Sequence, residues 1–153
     1  MREPRPVEYL RLFRHDIVNA AGDPYMQRWL ARTPRGYLRL HHILRSDDDR
    51  VLHDHPFDFT SVVVQGRCIE HTPADPRNPG SGQTVQRLYG PRMVAHHRAE
   101  DPHRLELPWG PVWTLVFTGP KRRDWGFHTP EGWVYWRDFE ARMGVDFNHG
   151  RVG

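Results

Sequence analysis

The chain has a single cysteine, Cys68, and so cannot form an intramolecular disulfide; its only lysine is Lys121. Long apolar runs are missing too. Nothing approaches the roughly 20 residues of a membrane-spanning helix, and the opening MREPRPVEYLRLFRHD lacks the apolar stretch of a secretion signal. These absences predict a cytoplasmic protein with no membrane partner. Almost all basic residues are arginines, scattered singly and in pairs, so the net charge of +3 comes without the continuous basic stripe of a nucleic-acid binder. The expected partner is a small-molecule substrate, not a nucleic acid.

In place of long runs the chain has many short ones. From Tyr37 to Phe117, brief apolar stretches alternate with clusters of Gly, Pro, Asp and Asn, the pattern of short strands in a sandwich or barrel. At 153 residues the chain is the size of one domain and can bury its own core. The expectation is one all-β domain over 1–153, with a barrel core over about 36–120, a lead-in over 1–35 and a C-terminal extension over 121–153. Two short helices are expected in the lead-in. One covers Tyr9 to Ala21; the other is DPYMQRWLART, with Asp23 as N-cap, Pro24 at the first helical position, and Met26, Trp29 and Leu30 on one side.

YLRLHHILRS alternates with the period of a strand, placing Tyr37, Arg39, His41 and Ile43 on one face, and SDDDR after it reads as a turn. FTSVVVQG reads as a strand ending at Gly66, with RCIEHT as its hairpin partner. PADPRNPGSGQ is an exposed loop; TVQRLY, RMVAHHR, HRLELP and PVWTLVFTG are further strands. Beyond Pro120, the aromatic residues Trp125, Phe127, Trp133, Tyr135 and Trp136 crowd a polar frame. They are placed to fold back over a barrel mouth, against the barrel wall, or against a second subunit of a homodimer.

The stretch VLHDHPFDF, Val51 to Phe59, holds two histidines one residue apart. In a strand His53 and His55 project from the same face while Asp54 points away, and two imidazoles so held form a chelate for a divalent metal. Pro56 then re-aims the residues after it. A third ligand has to come from another strand. His103 in EDPHRLEL opens a strand after a turn and is the leading candidate, with His96 and His97 as rivals.

HDHPFDFTSVVVQG, followed after a loop by HRAEDPHRLELPWGPVWTLVFTGP, resembles the cupin superfamily, and more closely a group of small single-domain bacterial cupin-like proteins. His53, His55 and the closing Gly66 match the first cupin motif, Asp47 stands where its first glycine would be, and Phe59 occupies the place of its glutamate. Of the second motif His103 survives. The resemblance implies a double-stranded β-helix, or jelly roll, with a metal near one mouth. Either His53, His55 and His103 form a three-histidine face or Asp58 joins them; strict alternation puts Asp58 outside and favours three.

Three neutral ligands on a first-row metal leave positions open for substrate and dioxygen together, which suits Fe(II) oxygenase chemistry on a small polar or anionic molecule. A metal-dependent isomerase, epimerase or lyase on the same fold is the alternative and would take Zn, Mn or Ni; a ligand-binding barrel without turnover is another. Phe57, Phe59, Val63, Leu105, Trp113, Leu115 and Phe117 fall on the expected inward parity, so Phe59, Val63, Trp113 and Phe117 are candidate substrate contacts. Arg39 and Arg98 are candidate anchors for an anionic group, and His41 is a candidate acid or base beside the metal. Tyr89 and Glu70 carry no assigned role.

Overall fold

The structure, a computed structural model, describes residues 13–18, 23–47 and 51–143. In chain order the strands are β1 (Phe13–Val18), β2 (Pro24–Thr33), β3 (Gly36–Ile43), β4 (Leu52–His53), β5 (Phe59–Gln65), β6 (Cys68–Pro73), β7 (Thr84–Tyr89), β8 (Val94–His97), β9 (Arg104–Glu106), β10 (Val112–Thr118), β11 (Gly126–Thr129) and β12 (Gly132–Tyr135). One α-helix, α1 (Trp136–Met143), follows them. A six-stranded sheet runs β1-β2-β3-β10-β5-β8, and two three-stranded sheets run β12-β11-β4 and β7-β6-β9. An antiparallel bridge between His53 and His103 joins the two small sheets where β4 meets the start of β9. The large sheet and this second wall enclose a cavity of about 490 Å³. No helix among the described residues is long and apolar enough to cross a membrane.

The fold is the expected jelly roll, but the lead-in is not helical. The described part of Tyr9–Ala21 is strand β1, and residues 9–12 and 19–21 lie outside the described residues, as do 48–50 of the expected turn. DPYMQRWLART is β2, paired on both sides, to β1 and to β3. Met26, Trp29 and Leu30 fit a helical side by spacing, yet in the strand Trp29 lies on the opposite face from the other two. Two ladders of cross-strand hydrogen bonds outweigh a cap and a weak propensity. Pro24 is tolerated because it is the first residue of its strand.

Two further expectations change. β5 and β6 are not a hairpin: β5 pairs with β10 and β8, while β6 pairs with β7 and β9. The chain passes from one sheet to another at Gly66, where φ is 87° and a Cβ would lie 2.7 Å from the Pro111 carbonyl oxygen. Only glycine fits both conditions. The inward face of β10 is Val112, Thr114, Val116 and Thr118, all buried, so Trp113, Leu115 and Phe117 face outward. The expected parity of β10 is one residue out, and a slip of one residue exchanges the faces. Trp113 lies against His42 and Trp29, with ring centroids 4.1 and 5.6 Å away, and this stack satisfies a large ring outside the barrel.

Ile43, Val63, Cys68, Tyr89, Leu107 and Val112 form the main buried cluster. A second, of Phe127, Val134 and Phe139, fixes the C-terminal extension, with Trp125 stacked on Trp136 at 5.6 Å and Phe127 on Phe139 at 4.0 Å. Trp125, Phe127 and Trp136 thus both pack the extension against the barrel and line its cavity.

Candidate metal centre

The two residues of β4 deliver the first histidine. Leu52 is buried, and His53 is fixed by main-chain bonds on both sides, pairing with Phe127 of β11 and exchanging two 2.9 Å N–H to O bonds with His103. These bonds set His53 and His103 directly opposite each other. Two residues on, the His55 N–H donates to the Ala99 carbonyl at 3.0 Å. The three rings form a nearly equilateral group, with centroids 5.1, 5.1 and 4.9 Å apart, and one nitrogen of each lies within 4.8 Å of the others.

Burial keeps His53 and His55 neutral. It pushes the His53 pKa down to about 4, with His103 and His128 adding to the effect against the pull of Asp47 and Asp54. His55 lies well below its ordinary value, first because of burial and then because of His103, His53, His97 and Arg39. Neutral imidazole is the ligating form, and the buried His55 Nδ1 has no hydrogen-bond partner. The donor set fits a divalent metal held by His53, His55 and His103.

Glu70 completes the arrangement. Its Oε1 lies 2.5 Å from His103 Nδ1 and 2.8 Å from His97 Nε2, at 4% exposure. Burial works against its charge, but the hydrogen bonds from His103 and His97 outweigh burial and hold the carboxyl well below the usual range. With metal–ligand bonds of about 2.1 Å, two ligand atoms on one ion sit about 3 Å or more apart, so a 2.5 Å contact is a hydrogen bond and not shared coordination. Glu70 thus holds His103 by Nδ1 and leaves Nε2 for a metal, the arrangement of an orienting carboxylate behind a ligating histidine.

Glu70 had no assigned role from the sequence, and His97 was a rival third ligand; in the structure His97 instead hydrogen-bonds Glu70. A signal existed for Glu70: it shares its strand face with Cys68, a buried core residue, so β6 alternation aims it inward. His97 lies opposite Phe59 across β5 and β8, while His96 points outward to Thr60 at 2.8 Å.

Asp58 does not join the group. It is half exposed, accepts the Ala99 N–H at 2.8 Å and pairs with Arg122, so the proline before it does not turn it inward. Phe59, in the place of the cupin glutamate, packs on His55, His97 and His103 at 4.6, 4.8 and 5.8 Å as an apolar wall. Arg39, His41, Phe59 and Val63 line the cavity with the histidines. Arg98 and Phe117 border a separate outer groove instead, and Trp113 is in its outward stack.

Asp54, between the two histidines, is fully buried and faces the C-terminal extension. It accepts from Gly126 N at 2.8 Å, His128 Nε2 at 3.0 Å, Trp133 Nε1 at 2.9 Å and Arg123 Nη1 at 2.7 Å. Burial works to raise its pKa, but these bonds prevail and lower it.

Two facing walls around a cavity, with histidines from β4, the turn after it and the start of β9, define the double-stranded β-helix of cupins. Solved structures agree on the fold. Rru_A2000 from Rhodospirillum rubrum, a cupin-2 domain, matches with a TM-score of 0.56 over 86% of this chain and 84% of its own, at 11% identity. HppE in its Fe(II) form matches with a TM-score of 0.55 over 77% of this chain at 11% identity, and this chain spans 60% of its length. Drosophila melanogaster CENP-C bound to CAL1 matches with a TM-score of 0.52 over 71% of this chain and 76% of its own, at 9% identity. The chain has the cupin fold. No family model matches the sequence, and no curated protein does.

Proposed function

We propose that this chain is a metal-dependent cupin enzyme, an Fe(II) oxygenase acting on a small polar or anionic molecule. The observation that carries the reading is the convergence of His53, His55 and His103 on the wall of a 490 Å³ cavity, with Glu70 behind His103. A bound iron would supply dioxygen chemistry; the chain supplies the rest. Glu70 fixes the His103 tautomer, and Phe57 and Phe59 exclude water beside His55. The Fe(II) form of HppE shows iron on this fold and lends support from outside the chain.

The test is elemental analysis of protein purified without chelators, alongside His103→Ala, followed by oxygen-consumption screens. Near-stoichiometric iron, lost in the variant, is the expected result. Zinc, manganese or nickel in its place would favour an isomerase, epimerase or lyase. No metal after anaerobic reconstitution would overturn the reading and leave a binding barrel, a use of this fold seen in CENP-C bound to CAL1.

A further inference from the structure

One region of the cavity wall is cationic although most of the lining is apolar. His41 of β3 lies opposite Arg28 of β2 on one side and opposite Thr114 of β10 on the other, so the three form one row across the sheet. Arg39 is two residues along β3 and faces the same way. All four line the cavity that holds His53, His55 and His103. The buried Arg39 Nε and His41 Nε2 have no hydrogen-bond partner, and among the described residues Arg28 is hydrogen-bonded only to His15 Nδ1, at 3.1 Å from its Nε and 2.6 Å from Nη2. Among the described residues, no carboxylate pairs with either arginine.

Two partly buried guanidiniums with no carboxylate partner among the described residues carry a desolvation cost that no ion pair among those residues offsets. The price is visible in Arg28, whose pKa burial and then Arg39 push down to about 10. Among the described residues Arg39 lies over two ring faces, Phe57 at 4.7 Å and Tyr37 at 5.5 Å. The Phe57 ring is itself 6.4 Å from the His55 ring, so this cationic wall adjoins the histidine group. A guanidinium with an unpaired Nε, beside a second cation and an imidazole with an unpaired Nε2, is complementary to an oxyanion.

We propose that Arg39, Arg28 and His41 form an anion subsite that takes the carboxylate or phosphate-type head of a small substrate, whose other end reaches the histidine group. The last clause rests on the metal reading of the histidines; the anion subsite does not. Arg39 donates to the head, Arg28 supplies charge, and His41 contributes Nε2. The substrate class is then a compact molecule with an anionic group at one end and a metal-binding oxygen at the other.

The test is thermal denaturation with inorganic phosphate or acetate, against chloride at equal ionic strength, for the wild type and for Arg39→Gln, Arg39→Lys, Arg28→Gln and His103→Ala. At least one anion raises the wild-type melting temperature, and which one does identifies the head group. Half-maximal stabilisation needs at least tenfold more anion in Arg39→Gln and Arg28→Gln, while His103→Ala responds as wild type. Without anion, Arg39→Gln melts higher than wild type, because an unpaired buried cation has been removed. Should that variant fail to fold, Arg39→Lys decides, since it keeps the charge and loses the fork. The inference is overturned if neither anion stabilises the wild type, or if the arginine variants respond unchanged. Metal analysis of the same samples separates the two readings: metal retained in His103→Ala sinks the metal centre and leaves the anion result standing.

Discussion

At the scale of single residues, Glu70 and Asp58 make opposite predictions. Glu70 touches His103 and His97, while Asp58 is tied to Arg122 and the Ala99 N–H. Glu70→Gln is expected to weaken metal binding by roughly 10–100-fold, the usual cost of losing an orienting partner, with Asp58→Asn unchanged. Competition with a coloured chelator reads both. His41 supplies a pH dependence. Burial, then Arg28 and Arg39, push its pKa down from 6.5 to about 3, so between these values the unfolded chain binds a proton that the fold does not. Its contribution is complete above pH 6.5 and is lost as pH falls towards 3, at up to about 1.4 kcal/mol per pH unit. Denaturant melts across that window should show a slope smaller by about one proton in His41→Gln.

At the scale of elements, Asp54 links the metal loop to the extension. Its backbone belongs to the segment carrying His53 and His55, while its carboxylate binds Gly126 and His128 of β11, Trp133 of β12, and Arg123. Asp54→Ala leaves a partly buried guanidinium and several donors unmatched, so a loss of roughly 3–5 kcal/mol is expected from urea unfolding. Metal affinity should fall with it. A variant as stable as wild type would mean that the extension is dispensable to the site. This clasp also accounts for an aspartate between two histidines: the strand alternation that aims the imidazoles inward turns Asp54 to the layer behind.

Across the whole molecule, the histidine group and Glu70 draw on three separate chain segments, and these meet only when the two small sheets are joined. A metal binding there stabilises the fold by mass action, by about 2.7 kcal/mol at a free concentration 100 times Kd. Iron(II) added anaerobically is expected to raise the melting temperature of the wild type, and a chelator to reverse the rise. His53→Ala should show neither effect. A wild-type melting temperature insensitive to both would count against a metal in this barrel.

Local pattern was enough for much of this. Alternation and turn residues placed the strands from β3 to β10, and one-residue spacing set His53 and His55 on a common face. Those properties belong to the backbone period and need no partner. The strands β1 and β2, the parity of β10, the crossing at Gly66 and the placing of Glu70 and His97 depended on which strands lie side by side. Hydrogen bonding to the neighbouring strands β1 and β3 overrode the helical signals at Asp23 and Pro24. Alternation alone put Arg39 and His41 on one face of β3, and the pairing of β2 with β3 added Arg28 opposite His41, a juxtaposition that no local period encodes.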